Sequence, residues 1–248
     1  MNVSLYQAAA AMNATSRWQE MISDNLADCS VPGARKQDIS FAAIQAGLPS
    51  GQLGMNGERF VMPAARPTIN FTQGEINPTG VATDFAVDGP GFFQVQMPDE
   101  QLVYTRDGEF HVNAKGQLTS KRGYPIMGDS GPVQLDPNNP APITVSATGQ
   151  VSQGSETKGH IKVAEFKDPR SLTVLGNGYY AAKPGEKPED TSTSLVRQGY
   201  LEAANSSPTV EMSSMITAMR MFESNQKVLQ MQDDRMGRVI TDLGGTGS

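Results

Sequence analysis

The 248-residue sequence predicts an α+β fold: long N- and C-terminal helices pair as a coiled-coil-like domain, and a strand-rich, mostly antiparallel β-domain lies between them. Three observations predict it. Apolar residues recur at steps of three and four at both ends, and the middle shifts to alternation. Gly and Pro, 25 and 16 in number, are too frequent for an all-helical protein.

At the N-terminus the steps run Leu5, Ala8, Met12, Thr15, Gln19, Ile22, Leu26 and Cys29, a stripe rich in small residues that Pro32-Gly33 stops. Ser50 to Pro67 is rich in Gly and Pro and reads as an irregular excursion. Phe85-Ala86-Val87 then leads through Asp88-Gly89-Pro90-Gly91 into an alternating stretch from Phe92 to Met97. Strand geometry sends Phe92 and Phe93 to opposite faces, so only one of them need be core. Gln101 to Thr105 follows a Pro98-Asp99 turn. Asp107-Gly108 predicts a tight hairpin turn before Phe110, with glycine at positive φ and aspartate accepting local hydrogen bonds. Asn113 to Gly116 turns the chain again, and further strands are expected over 142–146, 160–166 and 172–181. Pro184 to Ser194 reads as a polar loop. Phe92, Val95, Leu102, Tyr104 and Phe110 are the expected core anchors.

The C-terminal stripe is the clearest. From Met212 it passes through Met215, Met219, Phe222, Gln226, Leu229, Asp233, Met236, Ile240 and Leu243, and eight of these ten are apolar. Each rod is about 25–30 residues, or roughly 40 Å, long. That exceeds what a small domain covers, so the helices are expected to pair with one another and with those of other chains. The expected division is 1–33 and 199–248 for the helical domain and 34–198 for a β-domain that folds without the ends.

Composition excludes several classes. A net charge of -6 disfavours nucleic acid as a partner. The longest basic runs, Arg35-Lys36 and Lys121-Arg122, read as solvated surface. Cys29 is the single cysteine, so neither an internal disulfide nor a four-thiolate metal site can form. The first basic residue is Arg17 and Asn13 breaks the Ala8–Met12 patch, which is not the pattern of a secretion signal. No apolar stretch is long enough for a membrane-spanning helix. Such a composition is that of a soluble protein and is compatible with export by a route that reads another signal.

No catalytic constellation emerges. Gly128-Asp129-Ser130-Gly131 is similar to the serine neighbourhood of chymotrypsin-like proteases, but His111 lies too near and His160 on the wrong side, so a hairpin turn is expected. The two histidines fit no zinc motif, phosphate-binding glycine loops are absent, and Asp233-Asp234 point apart on a helix. An enzyme and a cofactor are not expected.

Three separated motifs resemble the flagellar basal-body rod and hook proteins of bacteria. The first is Ile22-Ser23-Asp24-Asn25-Leu26-Ala27-Asp28-Cys29-Ser30-Val31-Pro32-Gly33, departing at Cys29, often a small residue, and at Ala34, usually aromatic. The second runs from Asp88-Gly89-Pro90-Gly91-Phe92-Phe93 through Tyr104-Thr105-Arg106-Asp107-Gly108-Glu109-Phe110 to Gly123-Tyr124-Pro125-Ile126. The third is Gly199-Tyr200-Leu201-Glu202-Ala203-Ala204-Asn205, followed by Arg220-Met221-Phe222-Glu223.

The resemblance implies a non-catalytic axial protein that polymerises helically and transmits torque. Its implied place is the periplasm-spanning rod of the basal body, reached through the flagellar type III export apparatus without a cleaved signal peptide. Partners would be copies of itself, other rod proteins and hook-side neighbours. Leu5, Met12, Ile22, Leu26, Met212, Met215, Met219, Phe222, Leu229, Met236 and Ile240 would then pack subunits. Asn25 would hydrogen-bond at a crowded joint between subunits. Pro32, Gly33, Gly199, Leu201 and Glu202 would form the domain junction. Gly91, Phe92, Val95, Tyr104, Asp107, Gly108 and Phe110 would build the β-domain. The chain lacks room for a hook protein's additional outer domain. A different class of reading is a non-flagellar adaptor that uses the helices simply to dimerise.

Overall fold

The computed structural model describes residues 3–46, 60–189 and 193–244. The first helix, α1, spans Val3–Asp28, and the last, α2, spans Pro208–Gly244. Between them come β1 (Gln37–Ala46), β2 (Phe60–Ile69), β3 (Ile76–Pro78), β4 (Phe85–Asp88), β5 (Phe92–Gln96) and β6 (Leu102–Thr105). Next are β7 (Phe110–Val112), β8 (Leu118–Ser120), β9 (Met127–Gly128), β10 (Gly131–Pro132), β11 (Ile143–Val145) and β12 (Gln150–Gln153). The last strands are β13 (Glu156–His160), β14 (Val163–Ala164), β15 (Thr173–Gly176), β16 (Tyr179–Ala181), β17 (Leu195–Gln198) and β18 (Tyr200–Glu202). The α+β class is as the sequence predicts.

The chain forms two compact units. A helical unit contains Met1–Asn25, Gln37–Thr68 and Pro208–Ser248; a β unit contains Leu26–Lys36 and Ile69–Ser207. This grouping differs from the division at 33 and 199. The stretch after α1 and the strand β18 pack with the β body, because β18 pairs with β3 and Gly33 N donates to the Glu202 carbonyl at 2.7 Å.

The β unit is built on a five-stranded sheet of order β14-β5-β6-β16-β15, with antiparallel registers such as Gln94↔Tyr104 and Tyr180↔Tyr104. Both faces of β5 are covered. Phe93 and Val95 join a core with Phe85, Val103, Phe110, Leu118, Ile126 and Tyr179; Phe92 joins a second with Tyr104, Phe166, Leu172 and Tyr180. Phe92 and Phe93 do face opposite sides, but each side has its own core, so both are buried. Leu102, expected in the core, is 41% exposed. It pairs with Gln96 at the open end of the β5–β6 ladder, where its neighbour Val103 takes the inward position.

Turn chemistry places most of the hairpins. Gly116 sits at φ 79 and Asn113 Oδ1 accepts from the amides of Lys115 and Gln117, which joins β7 to β8 as expected. Met127–Pro132 is a hairpin with Asp129-Ser130 at its tip. The expected strand over 172–181 is instead a hairpin, because Asn177 and Gly178 both take positive φ (53 and 74) between β15 and β16.

Asp107-Gly108 is not a hairpin turn. Its β7 pairs with β8 rather than with β6, and Gly108 is absent from the positive-φ glycines. Glycine is needed there for closeness: a Cβ would overlap the Phe85 carbonyl, and Phe85 N donates to Gly108 O at 3.0 Å. Asp107 does accept locally, from Glu109 N at 3.0 Å.

In the helical unit, β1 and β2 form a two-stranded sheet. Residues 60–67, expected to be irregular, are therefore strand despite two prolines; the rest of that excursion, to residue 59, lies outside the described residues. A two-stranded sheet tolerates Pro because each strand has one edge free of ladder bonds.

Candidate functional site: three motifs on one buried ion cluster, and the seam of the two helices

Asp28 O accepts from Val31 N at 2.9 Å as α1 ends, and Gly33, at φ 67, redirects the chain where a Cβ would overlap the Arg106 backbone. Two residues later Arg35 is fully buried. Its Nη1 lies 2.5 Å from Glu202 Oε1, and the other oxygen of that carboxylate accepts from Arg106 Nη1 at 3.1 Å. The side chains of Arg35, Arg106 and Glu202 are 0%, 3% and 0% exposed. Arg35 was expected as solvated surface; a basic pair in sequence does not reveal that only its second member, Lys36, reaches solvent.

Each member of the cluster is held from several sides. Glu202 Oε1 also accepts from Gly74 N at 2.8 Å. Arg106 donates to the carbonyls of Val87 (3.1 Å) and Gly89 (2.5 Å), and its guanidinium lies 4.9 Å from the Phe92 ring centroid. Arg35 N donates to Tyr180 Oη at 3.2 Å. Burial pulls the Arg106 pKa down to about 10, with Glu202 opposing and Arg35 adding to the fall. Burial likewise pushes the Tyr180 phenol up to about 12. Both groups keep their usual charge near neutrality.

Asn205 completes the arrangement. Its Oδ1 accepts from Lys36 N at 2.6 Å, and its Nδ2 donates to the carbonyls of Asn70 and Thr72 at 2.8 and 2.9 Å. The second and third motifs thus each supply one charge, Arg106 and Glu202, and Arg35 lies two residues past the first. Of the expected junction residues, Gly33 and Glu202 belong to this cluster. Gly199, at φ 76, donates to Asp84 O at 2.8 Å, and half-buried Leu201 pairs with Asn77. Pro32 is half-buried in the turn. All five lie within the β unit. Gly91 serves a separate hub: its amide donates to Ser194 Oγ at 2.8 Å, and Ser194 donates to buried Glu165 at 2.7 Å.

In the helical unit, Asn25 is 4% exposed. Its amide and carbonyl bond the backbone of Gln37 in both directions at 2.8 Å, as a paired strand would, and its Nδ2 lies 3.4 Å from Glu211 Oε2. These bonds lie within one chain. A second tie, Asn225 Nδ2 to Thr15 Oγ1 at 3.3 Å, lies further along. From Asn25 back to Thr15 the partners advance from Glu211 to Asn225, so the helices run antiparallel.

The covered line on α2 is Glu211, Met215, Ala218, Phe222, Asn225, Leu229 and Gln232, a 4-3 alternation. It shares Met215, Phe222 and Leu229 with the expected stripe. Met212, Met219 and Met236, expected in the same seam, are instead 55%, 52% and 44% exposed, with Ile216 (55%) on the flank of Met212 and Met219. On α1, Ile22 is buried and Met12 and Leu26 are half-buried. The side chains of Leu5 and Ile240 lie outside the described residues. Thr15 lies on the expected α1 stripe, but sequence reasoning missed Glu211 and Asn225 as partners because hydropathy does not flag polar residues that pair across a seam.

Two open cavities of about 520 and 380 Å³ flank His160, whose Nδ1 is 3.3 Å from Asp129 Oδ2. Among the described residues, no three His, Cys, Asp or Glu side chains gather as a metal site, and no helix is long and apolar enough to cross a membrane.

The family model "Flagellar hook protein FlgE/F/G D1 domain" matches residues 86–153, and "Flagellar basal body rod FlgEFG protein C-terminal" matches 197–242. The chain is 30% identical over 245 residues to the flagellar basal-body rod protein FlgF of Caulobacter vibrioides, covering 98% of this chain and 99% of that protein. It is 30% identical over 246 residues to FlgF of Mesorhizobium japonicum, with coverage of 98% and 99%. To FlgG of Buchnera aphidicola subsp. Schizaphis graminum it is 32% identical over 259 residues, covering 95% and 98%. Matched over nearly its whole length, the chain belongs to the flagellar basal-body rod protein family and is a structural component of the rod.

Proposed function

We propose that the chain is the FlgF-type, proximal component of the rod, polymerising helically with copies of itself and other rod proteins to carry torque from motor to hook. The observation that carries this is length. The FlgF matches run over 245 and 246 residues and cover 98% of this chain, whereas the FlgG matches run over 258 to 264. Phe222, where a distal rod protein commonly has tyrosine, points the same way.

The exposed apolar side chains of α2 support assembly with neighbouring copies. Met212, Ile216 and Met219 share one flank of the helix, outside the covered line. Such a row on a long helix is a surface in want of a partner. The coiled-coil-like inner pairing and passage through the type III export apparatus belong to the same proposal. In a flagellated bacterium lacking FlgF, the chain is expected to restore motility; in one lacking FlgG it is not. Rescue of the FlgG-deficient strain alone would replace the proximal reading with the distal one. A protein whose mass stays fixed as a small oligomer at every concentration would favour the adaptor.

A further inference from the structure

The β unit seals two cations and one anion in the same place. Arg35 and Arg106 approach separate oxygens of Glu202, and all three side chains are removed from water. Arg35 Nε and Nη2 and Arg106 Nε have no hydrogen-bond acceptor among the described residues. With Glu202 present the cluster carries one positive charge in excess. Without it, two buried guanidinium groups would lie together with no counter-charge, and only the Val87 and Gly89 carbonyls, both on Arg106, would return part of the lost hydration. Both arginines also precede their carboxylate along the chain, by 167 and 96 positions.

We propose that Arg35, Arg106 and Glu202 form an interlock: the β unit does not close over its two arginines until the chain has supplied Glu202. A chain that becomes available N-terminus first stays open while its last quarter is missing and shuts when residue 202 arrives. The inference concerns the closing of one chain and is independent of what that chain assembles into.

The other duties of Glu202 are neutral. Its carbonyl accepts from Gly33 N, and its Oε1 accepts from Gly74 N. Glutamine can do both, so Glu202→Gln removes the charge and the acceptor for Arg106 while keeping the hydrogen bonds from Gly33 N and Gly74 N. The test is hydrogen exchange on the full chain, read at residues 26–36 and 69–75. In Glu202→Gln, protection there is expected to fall by about a hundredfold or more, the scale of a broken buried ion pair. Adding Arg35→Met removes one of the two facing cations and is expected to return about tenfold or more of that protection. A residue that merely fills space would show no such second-site rescue. Protection in Glu202→Gln within about threefold of the unaltered chain, against the scale above, would overturn the proposal. So would a double variant no better protected than the single one, including the case in which neither folds.

Discussion

Asp107 gives up its proton at a higher pH than an ordinary aspartate. Burial raises its carboxyl from the ordinary 3.8 to about 6; the Glu109 amide opposes the rise, while the charges of Glu109 and Asp84 add to it. Between those two values the folded chain holds a proton that an unfolded aspartate has already lost. Stability therefore falls as pH rises from 4 to 6 and stays lower above it. Asp107→Asn keeps the acceptor for Glu109 N and removes the charge. It is expected to stabilise the β unit by about 2 kcal/mol at pH 7.5 and by little at pH 4. Denaturant titration at the two pH values checks this, and equal effects at both would refute the burial account. The glycine beside it was legible as special but not for the right reason. Asp-Gly is a turn signal in sequence, while the carbonyl of Phe85, 23 positions earlier, is what excludes a side chain at Gly108.

At the scale of elements, α2 separates two kinds of apolar residue. Phe222 lies on the line that meets α1, and Met219 faces outward. Phe222→Asp is expected to lower helicity in the isolated chain, because it sets a charge into a seam from which the helices draw their stability. Met219→Asp is expected to leave that helicity unchanged and to reduce assembly. Circular dichroism and sedimentation at several concentrations distinguish them, and identical behaviour of the two variants would sink the assignment of faces. The existence and period of both helices were legible in the sequence. Their seam was not, since methionines line two faces of α2 and the covered line includes Glu211, Ala218, Asn225 and Gln232. The β ladders were legible where alternation met turn residues, as at Asn113–Gly116. Phe92 and Phe93 misled because alternation says which side a residue faces, not whether that side is covered.

For the whole molecule, the cluster sets where the chain can be cut. A fragment of residues 34–198 keeps Arg35 and Arg106 and lacks Glu202 and Asn205; a fragment of 26–207 keeps all four. The longer piece is expected to unfold cooperatively and the shorter one not to, as read by thermal denaturation. A shorter fragment as stable as the longer one would show that the β core closes without its ion cluster. The three motifs could be found in sequence, and so could Glu202, but not the convergence of their charges. Arg35 and Glu202 are 167 positions apart, and no periodicity links residues at that distance.

That separation has a polymer consequence. Bringing the ends of a 167-residue loop together costs about 4–5 kcal/mol of chain entropy, and the cost grows only with the logarithm of length. Fifteen more residues anywhere between Arg35 and Glu202 would add about 0.1 kcal/mol. The strands that lead to Glu202 shorten the search further, since pairing β17 with β4 already brings Gln198 to Phe85. The ion cluster is therefore almost indifferent to how much chain is strung between its ends. An insertion that left the strands in place could lengthen the chain between them and leave this closure thermodynamically untouched.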